Sequence, residues 1–345
     1  MKGRSTLLLL VVLFTAPLPA AFGQQKVIHR IGLEYHPEYI FQTAPFLRGM
    51  NAKGGALEWG NGVHLKYAFR HEHGSQIDRI FGGAYQGIGI GHHQYEDKKE
   101  LGAPWMFYVF QGGRIARFST RLSLNYEWNL GLSFGWHPYD ENENPNNRII
   151  GSPTNAYLNA GIQLVWAVLP RIDLVGGWSI THFSNGNTRF PNAGLNSTGL
   201  KLGVAYNFDR TREELEAPAY PAAFMTPFPR HISYDLTLFG AWHKAGVMWG
   251  DRLVAAPGSF GVFGFNFSPM YNFSYRLKAG VSLDGVYDSS TLIYTDDEII
   301  PLGESAGDIV VHAPAFYRQL ALGLSGRVEY VMPYFTVGAG FGGNV

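Results

Sequence analysis

The stretch IDLVGGWSITHFSN, residues 172–185, decides the fold because it alternates, residue by residue, between a largely apolar set and a largely polar set of side chains. One face carries, in order, Ile172, Leu174, Gly176, Trp178, Ile180, His182 and Ser184. Apart from Val175 and Phe183, the other face carries Asp173, Gly177, Ser179, Thr181 and Asn185. Successive side chains of a β-strand point to opposite sides. We therefore predict a strand whose apolar face contacts lipid and whose polar face lines the interior of a barrel.

Similar stretches recur along the chain, each about ten residues long, as a tilted strand needs to cross a bilayer. They lie at residues 31–41, 63–71, 80–92, 105–117, 122–136, 156–169, 172–185, 196–208, 232–242, 260–273, 277–287, 316–330 and 334–342. Their number is odd, whereas bacterial single-chain barrels have an even number of strands. We predict an all-β protein: an antiparallel transmembrane β-barrel of about 12–14 strands, or an eight-stranded unit plus a partial second one.

The composition favours the same class. The chain has 43 Gly, 24 Phe, 19 Tyr and 8 Trp, and only 16% of its residues are charged. This is typical of a membrane β-barrel, with a soluble β-sandwich as the alternative. The absence of cysteine excludes disulfides and thiolate chemistry. Equal numbers of basic and acidic residues, 27 of each, give no reason to expect nucleic acid as a partner.

The beginning of the chain predicts export. Lys2 and Arg4 precede an apolar run at 7–14, and two prolines and the small-residue site 21–23 follow. We interpret residues 1–23 as a signal peptide, because the run is too short for a membrane-spanning helix. The remaining chain divides into a barrel unit at 24–209, a linker or long periplasmic loop at 210–230, and further strands at 231–345 that could belong to the same barrel.

The connections between strands alternate between long polar loops and tight turns. Short periplasmic turns and long outer loops are the rule for these barrels. On that parity the strand at 172–185 runs outward, and its last residues lie at the extracellular end.

His182 and Ser184 form a candidate catalytic pair at that end. A serine hydroxyl becomes a useful nucleophile when an imidazole takes its proton, and a third group must orient the imidazole. Antiparallel pairing with the strand at 196–208 brings Asn196 close, in a register that we predict to place Ser184 near Asn196, Ile180 near Leu200 and Trp178 near Leu202. Amide side chains and backbone N–H groups of the intervening loop are candidate donors to an oxyanion.

The motif His182-x-Ser184-Asn185, followed by Pro191-Asn192-x-Gly194-Leu195, resembles the lipid A 3-O-deacylases (PagL) and acyloxyacyl hydrolase-like outer-membrane barrels. The resemblance extends to residue 208 at most, and its specific part is 181–200. It implies an esterase of the Gram-negative outer membrane that cleaves an ester-linked acyl chain of lipopolysaccharide. It also implies that His182 and Ser184 are catalytic and that Asn192 contributes to the oxyanion hole.

Two positions depart from the family pattern. Asn196 stands where the family has glutamate as the third triad member, and Asn187 stands where the family has a glycine that donates to the oxyanion. A neutral amide orients an imidazole but does not stabilise the imidazolium that forms. We predict His182, Ser184 and Asn196 as catalytic and Asn192 and Asn187 as oxyanion donors.

The predicted partners are lipid A, or lipopolysaccharide, and membrane lipid, with no cofactor. We predict that Trp178 and Arg189 contact the substrate, since a guanidinium binds phosphate. The alternative is a non-enzymatic barrel, such as a porin, transporter or structural protein, in which the pair only binds lipid headgroups and Trp178 belongs to the aromatic girdle. We predict no metal site, because His92 and His93 point to opposite faces and the group at 71–73 lies at the end of a strand.

Overall fold

A computed structural model describes residues 9–13, 26–217, 227–249, 252–295 and 310–345. The strands are β1 Leu9–Leu13, β2 Val27–Ile40, β3 Trp59–His71, β4 Tyr85–Tyr95, β5 Gly102–Arg117, β6 Leu122–Trp136, β7 Thr154–Leu169, β8 Ile172–Ser184, β9 Leu195–Asn207, β10 His231–His243, β11 Gly246–Trp249, β12 Arg252–Ala255, β13 Phe260–Asn272, β14 Leu277–Asp288, β15 Tyr294–Thr295, β16 Val311–His312, β17 Leu320–Val331 and β18 Thr336–Asn344. The short helices are α1 Gln76–Phe81, α2 Lys98–Leu101 and α3 Arg212–Glu216. Among the described helices, none has the length and apolar character to cross a membrane.

The chain divides into two compact units, Pro19–Met225 and Thr226–Val345 together with Met1–Leu18. In the first unit, β2 to β9 form a closed antiparallel barrel in chain order, with β9 paired to β2. The second unit contains a six-stranded antiparallel sheet in the order β1-β18-β17-β14-β13-β10. The all-β prediction is confirmed. Of its two alternatives, the structure has the second: a closed eight-stranded barrel and a further set of strands, rather than one barrel of 12–14 strands. The predicted signal peptide contributes β1 to this sheet and otherwise lies outside the described residues.

Each of the thirteen predicted stretches contains a strand, whereas the short strands β1, β11, β12, β15 and β16 were not predicted. Two of the predicted boundaries are wrong for local reasons. The stretch at 80–92 begins only at Tyr85, because α1 occupies the residues before it. Ser75 caps the start of α1, and Gly82, at φ 65°, ends it. The stretch at 316–330 begins as a strand at Leu320, after a 3-10 turn over Phe316–Gln319.

The interior of the barrel is polar and filled by charged groups that neutralise one another. Glu127, 2% exposed, accepts hydrogen bonds from Lys66 Nζ at 2.5 Å and Lys201 Nζ at 3.2 Å. Lys66 also donates to Glu34 Oε1 at 2.8 Å, and Tyr85 donates to the second oxygen of Glu127 at 3.1 Å. These contacts connect β2, β3, β4, β6 and β9 across the interior.

A hydrophobic core occupies the end of the barrel where β6 and β8 finish. Its members come from strand ends and from the loops at 41–58 and 137–153, and include Ile40, Phe46, Leu47, Leu57, Tyr95, Leu101, Trp136, Ile149, Ile150, Tyr157, Phe183 and Leu195. The two loops therefore close this end of the barrel with apolar side chains.

Glu127→Gln tests the interior network. The substitution leaves two buried lysines without their shared carboxylate, and breaking a buried ion pair costs about 3–5 kcal/mol. We expect the free energy of unfolding, measured by urea titration in detergent micelles, to fall by about that amount. Glu141→Gln, in an exposed loop, is the matched control and should leave the urea midpoint unchanged. An unchanged midpoint for Glu127→Gln would show that the network does not stabilise the barrel.

Candidate active site

Strand β8 presents His182 and Ser184 on the outer surface of the barrel. Along this strand Trp178 and Ile180 are 48% and 46% exposed, whereas Thr181 and Phe183, on the other face, are 1% and 0% exposed. His182 and Ser184 are half-buried and belong to the exposed series. The alternation predicted from the sequence is therefore present.

The register between β8 and β9 differs from the prediction by two residues. Asn196 lies opposite His182 rather than Ser184, and Trp178 lies opposite Leu200. The last pair in this register is Phe183 with Leu195, so Ser184 has no partner on β9, and β9 begins one residue before the predicted stretch. A shift of two residues keeps every side chain on its own face, so Asn196 still projects outward beside His182.

Ser184, His182 and Asn196 form a hydrogen-bonded chain. Ser184 Oγ lies 3.0 Å from His182 Nε2, and His182 Nδ1 lies 2.7 Å from Asn196 Oδ1. Because the amide oxygen can only accept, it places the imidazole proton on Nδ1. Nε2 is then free to accept the proton of the Ser184 hydroxyl.

Both partners of His182 are neutral. Within the described residues, His182 forms no ion pair with a carboxylate, and its ring nitrogens contact only the serine hydroxyl and the amide. The amide fixes the tautomer that a general base needs. It would stabilise a protonated His182 only through its dipole, not through a negative charge.

Hydrogen bonds among its own asparagines stabilise the loop at 185–194. Asn192 Oδ1 accepts a hydrogen bond from the backbone N–H of Asn185 at 3.1 Å, and Asn192 Nδ2 donates to Asn187 Oδ1 at 3.0 Å. Asn187 has φ 62°, a left-handed conformation that asparagine tolerates better than most residues. These bonds place Asn192 beside the residue that follows Ser184 and leave its second N–H group available as a donor.

Gly194 allows this loop to approach His182 and Ser184 closely. Its φ is +73°, and a Cβ atom there would lie 3.0 Å from Phe183 O and 3.2 Å from His182 Cε1. Its N–H donates to Ile149 O at 3.0 Å. The loop at 137–153 thus supports the site loop, and the N–H of Gly194 is not an oxyanion donor.

Trp178 and Arg189 lie on either side of the pair along the barrel wall. Trp178 is four residues before His182, which corresponds to about 13 Å along an extended strand. Arg189 is exposed in the loop, and its carbonyl accepts a hydrogen bond from Asn185 Nδ2 at 2.9 Å. The indole of Trp178 therefore lies on the strand, and the exposed Arg189 lies in the loop that follows it.

Glu38 supports the site from inside the barrel and was not identified from the sequence. It is 1% exposed, and its two oxygens accept hydrogen bonds from Thr181 Oγ1 at 3.0 Å and Ser197 Oγ at 2.8 Å. Thr181 precedes His182 and Ser197 follows Asn196, so this carboxylate joins the backbones that carry two members of the chain. The alternation of residues 31–41 puts Glu38 on the inward face, but its partners depend on closure of the barrel.

Comparisons with known proteins agree with the motif. The model of the lipid A 3-O-deacylase (PagL) family matches residues 61–205, and that of the acyloxyacyl hydrolase C-terminal domain (PagL_C) matches residues 232–345. No curated protein matches the sequence.

Three solved structures of other outer-membrane or surface proteins are distantly similar to the chain. Neisserial surface protein A is 12% identical at a TM-score of 0.34, covering 53% of this chain and 100% of that one. The monoaromatic hydrocarbon channel TodX is 7% identical at 0.21, covering 94% and 92%. The translocator domain of the autotransporter NalP from Neisseria meningitidis is 8% identical at 0.22, covering 94% and 88%. These likenesses are too weak to bear on function.

The close approach of Gly194 to His182 can be tested with an alkyl fluorophosphonate, which labels activated serines. Gly194→Ala adds a methyl group against His182 and should reduce the labelling rate of Ser184 about tenfold or more, since misplacement by 1 Å can cost a hundredfold. Gly186→Ala is the matched control, because Gly186 also has positive φ, at 62°, but a Cβ there meets nothing within 4 Å. Equal labelling of the two variants would contradict the proposed contact.

Proposed function

The chain belongs to the PagL family of lipid A 3-O-deacylases, and we propose that it removes an ester-linked acyl chain from lipid A in the outer membrane by a Ser-His mechanism. The observation that carries this proposal is the chain of hydrogen bonds from Ser184 through His182 to Asn196. Its position on the outer face of the barrel supports a substrate that arrives from the lipid.

Ser184 is the nucleophile and His182 is the general base. Ser184 Oγ attacks the ester carbonyl while His182 Nε2 takes the hydroxyl proton, giving a tetrahedral intermediate. The intermediate collapses with cleavage of the bond to the sugar oxygen, which receives the proton from His182. Water then releases the fatty acid from Ser184 by the same two steps, and the serine regains its proton.

Asn192 and Asn187 hold the developing negative charge on the carbonyl oxygen. The second N–H of Asn192 Nδ2 and the backbone N–H of Asn187 are the donors. Removing one donor from an oxyanion hole costs about 10²–10³ in kcat in a serine protease. The loop support through Gly194 and Ile149 favours fixed positions for these donors.

The wall around the pair matches an amphipathic substrate. Trp178 and Ile180 on β8 and Leu200 on β9 are half exposed and offer an apolar surface to acyl chains. Arg189 lies in the loop beyond them and binds a phosphate of the lipid A headgroup, for which a guanidinium is well suited. This arrangement requires the end of β8 to face the outer leaflet, which fits export directed by a signal peptide at residues 1–23.

Ser184→Ala and His182→Ala test the pair directly. Expression of the wild-type chain in a Gram-negative host should produce lipid A that is lighter by one acyl chain in mass spectra. Because the nucleophile and its base act as a unit, we expect either variant to lose activity about a thousandfold or more. Ser119→Ala, in the turn at the other end of the barrel, and His92→Ala, on the outer face of β4, should retain wild-type activity.

Folding must be verified for each variant by heat-modifiable electrophoretic mobility. Unmodified lipid A from a correctly folded wild-type protein would contradict the esterase and favour the non-enzymatic barrel. Ion conductance in planar bilayers would then be the measurement that identifies a channel.

Asn196 is the third member of the chain, and its charge can be changed. Asn196→Glu supplies a carboxylate that stabilises the imidazolium, so we expect the deacylation rate to rise about tenfold, because a hydrogen bond between two charged groups is roughly twice as strong as a neutral one. Asn196→Ala removes the orienting group, and the rate should fall by about tenfold to a hundredfold.

Thr198→Glu is the matched control for the added charge, because Thr198 is the next outward-facing residue of β9, opposite Ile180. It should not increase the rate. If Asn196→Ala retains full activity in a folded protein, another residue orients His182.

A further inference from the structure

Three histidines from adjacent strands converge inside the closed barrel. His36 on β2, His64 on β3 and His93 on β4 are 1%, 0% and 0% exposed, and one ring nitrogen of each lies within 4.8 Å of the others. His64 Nε2 and His93 Nε2 are 2.9 Å apart, and the rings of His36 and His64 stack at 4.2 Å. None of these residues takes part in the proposed ester hydrolysis.

The opposite nitrogen of each imidazole faces a polar side chain. His36 Nε2 lies 3.0 Å from Glu34 Oε2, His64 Nδ1 lies 3.0 Å from the Tyr108 hydroxyl, and His93 Nδ1 lies 3.7 Å from Glu38 Oε2. Histidines that bind metals commonly have such outer partners, which fix the tautomer and the ring orientation. Here the partners leave a second nitrogen on each ring, and those of His64 and His93 already lie 2.9 Å apart.

Two glycines create the space in which the rings lie. A Cβ atom on Gly62 would lie 2.2 Å from His93 Nε2, and one on Gly91 would lie 2.5 Å from His64 Nδ1. Gly62 pairs with both His36 and His93 across the sheet, and Gly91 pairs with His64. Any larger residue at either position would push the imidazoles apart.

The hydrogen bonding and the charge of the cluster are incomplete as the protein stands. His36 Nδ1 is buried and has no hydrogen-bond partner in the described part of the chain. His93 Nδ1 faces Glu38 at 3.7 Å, which is too long for a hydrogen bond. Glu38 is a buried carboxylate whose partners there are two hydroxyls and His93, with no lysine or arginine. A buried anion is costly without a compensating cation.

We propose that His36, His64 and His93 bind a divalent transition metal ion of the Zn²⁺ class inside the barrel. Imidazole nitrogens are good ligands for Zn²⁺, and three protein ligands with one open position form a known type of zinc site. Ligands about 2.0–2.1 Å from a tetrahedral ion lie about 3.3 Å apart. The 2.9 Å pair has to open by a few tenths of an ångström, and rotation of the third ring toward it completes the set. The ion supplies positive charge on the far side of the His93 imidazole from Glu38, and it cross-links β2, β3 and β4.

The test uses the full chain refolded into detergent after treatment with EDTA, with metal added during refolding because the cluster is buried. We expect one Zn²⁺ per chain by elemental analysis after gel filtration. Co²⁺ should give the intense visible absorption of a four-coordinate ion, which needs no variant to detect. Zn²⁺ should also raise the thermal midpoint, because a ligand that binds only the folded state stabilises it.

Neighbouring histidines on β4 provide a matched pair of variants. His93→Gln should reduce bound Zn²⁺ about tenfold or more and abolish the thermal shift. His92→Gln should change neither, because His92 points outward and stacks on Trp105 at 4.5 Å. Glu38→Gln keeps all three ligands and should weaken Zn²⁺ binding about 10–100-fold, as outer-shell substitutions do.

The results separate this site from the esterase. Ser184→Ala should bind Zn²⁺ as the wild type does, whatever its activity. Folded wild-type protein without bound Zn²⁺ or Co²⁺ absorption overturns the proposal, as does full binding by folded His93→Gln. If His93→Gln does not fold, the Co²⁺ spectrum of the wild type and the affinity of Glu38→Gln decide the question.

Discussion

Pairing of β9 with β2 is the constraint on which the barrel unit depends. The two strands pair from Arg30 and Asn207 at one end to Ile40 and Ser197 at the other, and this pairing removes the last free edge. In a bilayer no water satisfies exposed backbone groups, so an open edge would cost several kcal/mol for each unpaired group. Closure also defines the two faces of each strand. One face lines the interior, where charged side chains can be buried, and the other face contacts lipid.

Adjacent residues of β8 have different roles, because they point to opposite faces of the strand. Thr181 points inward and donates to Glu38, whereas His182 points outward and contacts Ser184 and Asn196. Glu38 also accepts from Ser197, beside Asn196, so the interior fixes the backbone on both sides of the outer site. A site on the outer wall of a barrel has no protein layer outside it to hold its side chains. Residues in the barrel interior, such as Glu38, therefore support it.

The sequence predicted what depends on period-two alternation and missed what depends on distance between strands. It located all eight strands of the barrel and the five long strands of the second unit, and it placed His182, Ser184 and Asn196 on one face, because side-chain direction is a local property. The register of β8 with β9 was wrong by two residues, since alternation cannot distinguish even shifts. The cluster of His36, His64 and His93 was invisible for the same reason. The sequence analysis considered His92 and His93 as a metal-binding pair because they are adjacent. The residues that lie close to His93 are instead His36 and His64, on two other strands.

The neutral third residue fits the position of the site. A carboxylate at Asn196 would stabilise the imidazolium, but it would also project from the barrel wall, and charge on a lipid-facing surface is costly to a degree that depends on depth. Asparagine avoids that cost and still holds the proton of His182 on Nδ1 through a 2.7 Å contact. It therefore retains the geometry of general-base catalysis and gives up part of the electrostatic stabilisation. The depth of Asn196 relative to the lipid headgroups therefore determines how much barrel stability a carboxylate at this position would cost for the rate of ester cleavage that it would add.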